Sequence, residues 1–239
     1  MISTKNRSTQ AEMMDDFSLE GKGLRNNLDV LSVINKWLGG NSITESGVMK
    51  LLNGHPKDQP VRIVDLGCGN GDMLRRISLL GQKKGYTFEL IGIDANLDTI
   101  VYARELSKGF NDIRFLQMNI FSAEFDMLDY DIVLLTLFLH HFSDRDIIEK
   151  LAKITNKTGL GVVVNDLHRH KLAYILFNLL TLFAGSEMIR NDGLVSILKG
   201  FKRKELEQYA LQIKSRSQIK WKWAFRYQWI LQKQGWQLK

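Results

Sequence analysis

The sequence predicts an α/β fold on a doubly wound, mostly parallel sheet, and three observations carry that prediction. Residues 61–64, Val-Arg-Ile-Val, form an apolar run of the kind that is buried on both faces in a parallel sheet. The chain then passes through Gly67, Gly69 and Gly71 into residues 73–80, whose apolar positions recur at helical spacing. The glycines therefore occupy a strand-to-helix turn, the place where such sheets bind ligands. Further apolar runs at residues 88–93, 113–118, 131–136 and 159–164 read as the second to fifth strands, with helical periodicity at 97–104 and between 142 and 159.

Glycine admits positive φ and brings bare N–H groups against a ligand, and the following helix points its positive end at the same spot. The spacing here is G-x-G-x-G, with Asp65 before it and Asp72 after it, rather than the G-x-G-x-x-G of dinucleotide sites. Asp94 closes the second strand about 20 residues beyond the loop, where an acid accepts hydrogen bonds from ribose hydroxyls. Asn96 is the better-placed cap for the helix that follows, so Asp94 is free for that role. Asn119 follows the third strand.

These motifs, in this order over residues 60–166, resemble those of class I S-adenosylmethionine (SAM) dependent methyltransferases. The resemblance implies a Rossmann-like sheet of seven strands with the last antiparallel. It also implies an N-terminal helical lid, while the apolar helical segment inserted after strand five departs from a minimal methyltransferase. SAM would be the methyl donor, leaving as S-adenosylhomocysteine. Its site would draw on Asp65, Gly67, Cys68, Gly69, Asp94, Ala95, Asn119, Ile120, Leu135 and Thr136. Asn119 stands where the family usually carries an acid near the adenine amino group, and its amide oxygen can accept the same bond.

With 239 residues, the chain can bury a core without staples. Its one cysteine, Cys68, excludes an intramolecular disulfide and suits a reducing, cytoplasmic setting. It reads as a small loop residue. No signal peptide opens the chain, and no apolar run reaches the roughly 18 residues of a membrane span, which leaves peripheral contact open. The net charge of +7 permits an anionic partner, but the basic residues are spread along the chain and read as a solvated surface. The N-P-P-Y type motif of base-modifying methyltransferases is absent, which argues against nucleic acid. No C-x-x-C, zinc-knuckle or H-E-x-x-H pattern occurs, so no dedicated metal site is expected. Nothing in the sequence sets an oligomeric state.

The expected organisation is one domain: an N-terminal helical cap (1–58), a SAM-binding core (59–166), a helical insertion (167–205), and a C-terminal helix and strands (206–239). Residues 1–12 are polar and expected to fray. Residues 13–38 carry a helical stripe ending at Gly39-Gly40, and 42–52 read as a second helix. These helices form either a lid, as the resemblance implies, or a packing layer on the sheet edge. Ser143 and Asp146 form a capping box. Residues 172–183 are apolar nearly all round, so they are expected to be buried and to roof an acceptor pocket. Residues 190–193 read as a polar turn and 202–211 as a helix. Residues 218–232 alternate in part and read either as one long strand or as two whose hairpin turns near residues 224–226 without a glycine; the resemblance implies two.

SAM carries an already electrophilic methyl group, so the protein need only align a nucleophile and remove its proton. The candidate bases at the ends of the strands are His140, His141, Asp166, His168 and His170, which include four of the five histidines. The stretch Leu139-His140-His141-Phe142-Ser143-Asp144 resembles the L-H-D-W-S-D stretch of plant-type phenolic O-methyltransferases. That resemblance implies His140 as base, with His141 standing in place of an aspartate and His168 as the second candidate. The expected activity is O-methylation of a small, partly apolar phenol, quinol or polyketide-type hydroxyl, as in secondary metabolism. The alternatives are C-methylation of a quinone-type ring, RNA methylation, or SAM binding without catalysis.

Overall fold

The structure, a computed structural model, describes residues 2–181 and 187–233. Seven strands, β1 (Val61–Leu66), β2 (Phe88–Asp94), β3 (Ile113–Gln117), β4 (Ile132–Thr136), β5 (Gly161–Leu167), β6 (Arg216–Lys222) and β7 (Arg226–Gln232), form one sheet in the order β3-β2-β1-β4-β5-β7-β6. The first five run parallel, and β7 is antiparallel to both β5 and β6. From β1 the chain winds out to β3 and returns to place β4 on the other side of β1. That reversal opens a crevice at the carboxyl ends of β1 and β4.

The helices are α1 (Gly21–Trp37), α2 (Gly40–Leu51), α3 (Asp72–Lys84), α4 (Leu97–Leu106), α5 (Ala123–Met127), α6 (Asp144–Lys157), α7 (Lys171–Thr181), α8 (Glu187–Lys199) and α9 (Arg203–Ile213). Strand alternation divides the core between the two faces of the sheet. Val64, Leu66, Val133 and Val164 pack with Ile147 and Leu151 of α6 and Leu206 of α9. Ile63, Ile132, Leu134 and Val163 pack with Val48 of α2, Leu74 and Ile77 of α3 and Ile100 of α4. No helix among the described residues is long and apolar enough to cross a membrane.

Local capping follows the expected chemistry. Asn96 accepts the Thr99 N–H, and Ser143 accepts the Asp146 N–H. The hairpin turns through Trp223-Ala224-Phe225, with Ala224 at φ +60° and Phe225 at φ +54°. Left-handed backbone at non-glycine residues costs about 1–2 kcal/mol each. Offsetting it, the Phe225 carbonyl accepts the His168 N–H at 2.8 Å and the Phe225 ring stacks on His170 at 5.2 Å.

Three expectations fail, each because a long-range contact outweighs local preference. Residues 13–38 are not one helix: a short 3₁₀ turn at Met13–Asp15 is separated from α1. The Asn96 amide draws off the carbonyls of Phe17 and Leu19, and Asp98 takes the Gly21 N–H. The amino terminus is not frayed. Arg7 donates to Asp144 and to the carbonyls of His140, Phe142 and Lys199, and the Ser8 N–H donates to the Leu198 carbonyl. Residues 190–193 are not a turn but part of α8. There Asp192 is buried and accepts the N–H groups of Met13 and Met14 at 2.8 and 2.9 Å.

Candidate active site

A cavity of about 840 Å³ occupies the crevice, roofed by α1, the Glu12–Phe17 strap, α7 and α8. Its first half is the glycine loop. Gly67 and Gly71 lie at φ +68° and +77°, where other residues are strained. A Cβ on Gly67 would strike the Phe138 ring, and one on Gly71 would come within 2.7 Å of Phe115. Asp94 lines the cavity and braces the loop, accepting the Gly69 N–H at 3.2 Å and the Asn96 N–H at 3.0 Å. Burial raises its carboxyl above the usual range.

Asp65 is 2% exposed, and its Oδ1 has no partner. Burial and then the neighbouring Asp94 push its carboxyl up to about 8. Burial also raises the Cys68 thiol, so Cys68 is a small loop residue and not a nucleophile. Two buried carboxyls beside bare N–H groups suit a ligand with cationic and hydroxyl groups, so the residues present fit SAM. Ala95, Asn119, Ile120 and Thr136 line the same cavity. The Asn119 oxygen accepts the Phe121 N–H at 2.9 Å, leaving its second lone pair for an adenine amino group. Leu135 is not a lining residue: strand alternation turns it into the α6–α9 side of the core.

The second half of the cavity is apolar. Ala173, Leu176, Phe177 and Leu180 form one stripe of α7 and line it, opposite Phe121, Phe138 and Phe142. The expectation that residues 172–183 are buried all round is corrected here, since Leu172, Ile175 and Leu179, away from the cavity, and Leu176 and Leu180, which line it, are all about half exposed. Leu182 and Phe183 lie outside the described residues.

Between the halves lies a charged cluster. His140 is 3% exposed, and its Nδ1 lies 2.7 Å from Asp166 Oδ1. Its Nε2 stands 3.6 Å from Glu12 Oε1, too far for a direct hydrogen bond, and neither atom has another hydrogen-bond partner. Burial alone would depress the imidazole, but the charges of Asp166 and Glu12 win and raise it to about 9. Glu12 and Asp166 are correspondingly acidic, Glu12 at about 2, with their burial outweighed by the histidines. Glu12, His140 and His141 converge closely enough to hold a metal ion, but Lys199 already supplies the cation, 3.2 Å from Glu12 and 3.1 Å from Asp15.

The other histidines differ. His141 lines the cavity with Nδ1 2.6 Å from Asp15 Oδ1. His168 also lines it, but its Nδ1 accepts the Trp221 indole N–H, and burial followed by nearby cations lowers it to about 4. His170 is not a lining residue, and its Nδ1 accepts the Leu172 N–H at the start of α7. Glu12, Asp15, Lys199 and Arg226 were not legible in the sequence as site residues. Glu12 and Asp15 fall in an unremarkable polar stretch, and Arg226 looks like one more polar position in an alternating strand.

The methyltransferase-domain family matches residues 57–235, and the chain belongs to it. The class these features define is that of SAM-binding methyltransferase domains. Among curated proteins it is 32% identical to carboxy-S-adenosyl-L-methionine synthase of Helicobacter pylori over 113 residues, 47% of this chain and 44% of that one. It is 29% identical to the uncharacterized methyltransferase YcgJ of Bacillus subtilis over 107 residues, 44% of this chain and 40% of that one. The chain thus aligns with less than half the length of either relative. Two solved structures show the same fold. The plantazolicin methyltransferase BamL has a TM-score of 0.65 at 16% identity, over 87% of this chain and 91% of that one. The CurJ carbon methyltransferase has 0.60 at 15%, over 80% of this chain and 53% of that one.

Replacing Asp94 with alanine is expected to weaken SAM binding about 10- to 150-fold, the worth of a charged hydrogen bond. Calorimetry on the folded variant checks this, and unchanged affinity would remove Asp94 from the site.

Proposed function

We propose that the chain methylates a hydroxyl of a small, partly apolar acceptor of the phenol, quinol or polyketide type. The observation that carries this reading is His141 at the junction of the donor and apolar halves of the cavity, backed by Asp15. A histidine whose Nδ1–H donates to a carboxylate keeps its Nε2 lone pair free, and no contact among the described residues engages that nitrogen. The base is therefore His141, in place of the expected His140 and His168. His140 is an imidazolium below pH about 9 and has no lone pair to offer at neutral pH. The Nδ1 lone pair of His168 is committed to Trp221, so its other nitrogen carries the proton.

SAM, when bound, supplies an electrophilic methyl on its sulfonium. The protein's part is to hold the acceptor against the α7 stripe, exclude water with α1 and α8, and receive the hydroxyl proton on His141 Nε2. Asp94 and Asn119 orient the adenosine end. Asp65 faces the cationic end.

The test is a screen of phenols, quinols and polyketide hydroxy compounds with methyl-labelled SAM, read by product mass and by the chemical shift of the new methyl. An O-methyl product is expected. A methyl on ring carbon, or SAM binding without transfer to any acceptor, would overturn the reading.

A further inference from the structure

Arg226 is buried without a counter-ion. It is 2% exposed and lines the cavity, and its Nε and Nη1 have no hydrogen-bond partner. Asp166 is the one acid that acts on it, and that carboxylate is taken up by the His140 imidazole and by the N–H groups of His140 and Leu167. Asn35 stands nearby with its own Oδ1 unpartnered. A Cβ on Gly40 would collide with the Asn35 amide and lie 3.0 Å from the Arg226 guanidinium carbon. A buried, unpaired charge is a strong penalty in a folded protein, and a guanidinium fork matches a carboxylate with two parallel hydrogen bonds.

We propose that Arg226 is the receptor for a carboxylate carried by the acceptor. This rests on the small-molecule reading above and adds the acceptor's charge to it. Position favours the acceptor over the donor's own carboxylate. Arg226 opens β7, three places from β1 in the sheet order, roughly 14 Å across at the usual strand spacing. Charge favours a carboxylate over a phosphate. Arg226 is the only arginine or lysine among the described residues lining the cavity, and one guanidinium balances one negative charge.

The test measures binding by calorimetry, with the protein saturated in S-adenosylhomocysteine. The probes are hydroxybenzoates and hydroxycinnamates, each paired with its methyl ester. In the wild type the acids should bind at least 10-fold more tightly than their esters. Arg226→Gln should abolish that preference, Arg226→Lys should retain part of it, and affinity for S-adenosylhomocysteine should stay within about threefold in both. Equal binding of acids and esters by the wild type overturns the proposal. So does a preserved preference in Arg226→Gln, or a loss confined to S-adenosylhomocysteine, which would assign Arg226 to the donor. If Arg226→Gln does not fold, the wild-type pairs and Arg226→Lys decide. O-methyl transfer by the wild type to neutral phenols and to their carboxylate-bearing analogues with equal kcat/KM would sink this inference while sparing the hydroxyl reading. A carbon-methylated product would do the reverse.

Discussion

Replacing His141 with alanine should lower turnover roughly 10²- to 10⁴-fold, the usual worth of a positioned base, and leave SAM affinity within a few-fold. The effect falls on kcat because the proton leaves the acceptor only as the methyl bond forms. The variant should fold, since Asp15 keeps its contacts with Lys199 and the Glu12 N–H, and His141 is only partly buried. Asp15→Asn should act in the same direction with a smaller loss, by weakening the hold on the Nδ1 proton. Added imidazole should partly restore the alanine variant, a rescue that a merely structural role would not show. Wild-type turnover in His141→Ala on the true acceptor would remove His141 as base.

The second large effect is on stability. Asp166→Ala should cost about 3–5 kcal/mol, the typical result of removing one partner from a buried ion pair. For a domain of this size that is a fall in Tm of roughly 6–20 °C. The carboxylate is 1% exposed and holds the His140 imidazole and the N–H groups of His140 and Leu167.

The loss should depend on pH in a defined direction. His140 is raised from 6.5 to about 9 in the folded state. Its contribution is complete below the unfolded value and disappears as pH rises through about 9, an effect on the order of 3 kcal/mol. Wild-type stability should therefore decline between pH 6.5 and 9, and Asp166→Ala should flatten that decline. Urea unfolding across this range reads both quantities. Arg145→Ala, which breaks an exposed pair with Glu149, should change stability by less than about 1 kcal/mol and serves as the control. A wild-type stability that holds constant from pH 6.5 to 9 would refute the charged state assigned to His140.

How much was readable depended on the range of the interactions involved. The strand–glycine–helix unit at residues 61–80 was legible because its signals are local. Apolar runs mark strands, helical spacing marks α3, and the Gly67 and Gly71 positions need positive φ. Asp94 and Asn119 were legible for the same reason, since each ends or follows a strand at the carboxyl edge of the sheet. The hairpin at Ala224 was different: alternation alone allowed one long strand, and the resemblance to the family supplied the turn.

The proposal of His141 over His140 as base was not open to the sequence, because adjacent histidines look alike in it. What separates them is that Asp166, 26 residues away, and Glu12 enclose His140, while Asp15, 126 residues away, holds His141. Proton position is set by such partners, and a chain read residue by residue does not contain them.

By itself, then, the sequence determined the parallel sheet and the glycine cradle, because each depends on backbone conformation and patterning within about 20 residues, and the family resemblance carried by those motifs implied the methyl donor. Tertiary structure alone decided which carboxylate each of the two adjacent histidines meets, why Arg226 is left without a counter-ion, and why the stretch from Thr4 to Asp15 is bound down instead of loose. Those outcomes depend on electrostatics and hydrogen bonding across buried space, where a single carboxylate brought from a distant segment outweighs the local preference of the groups it meets.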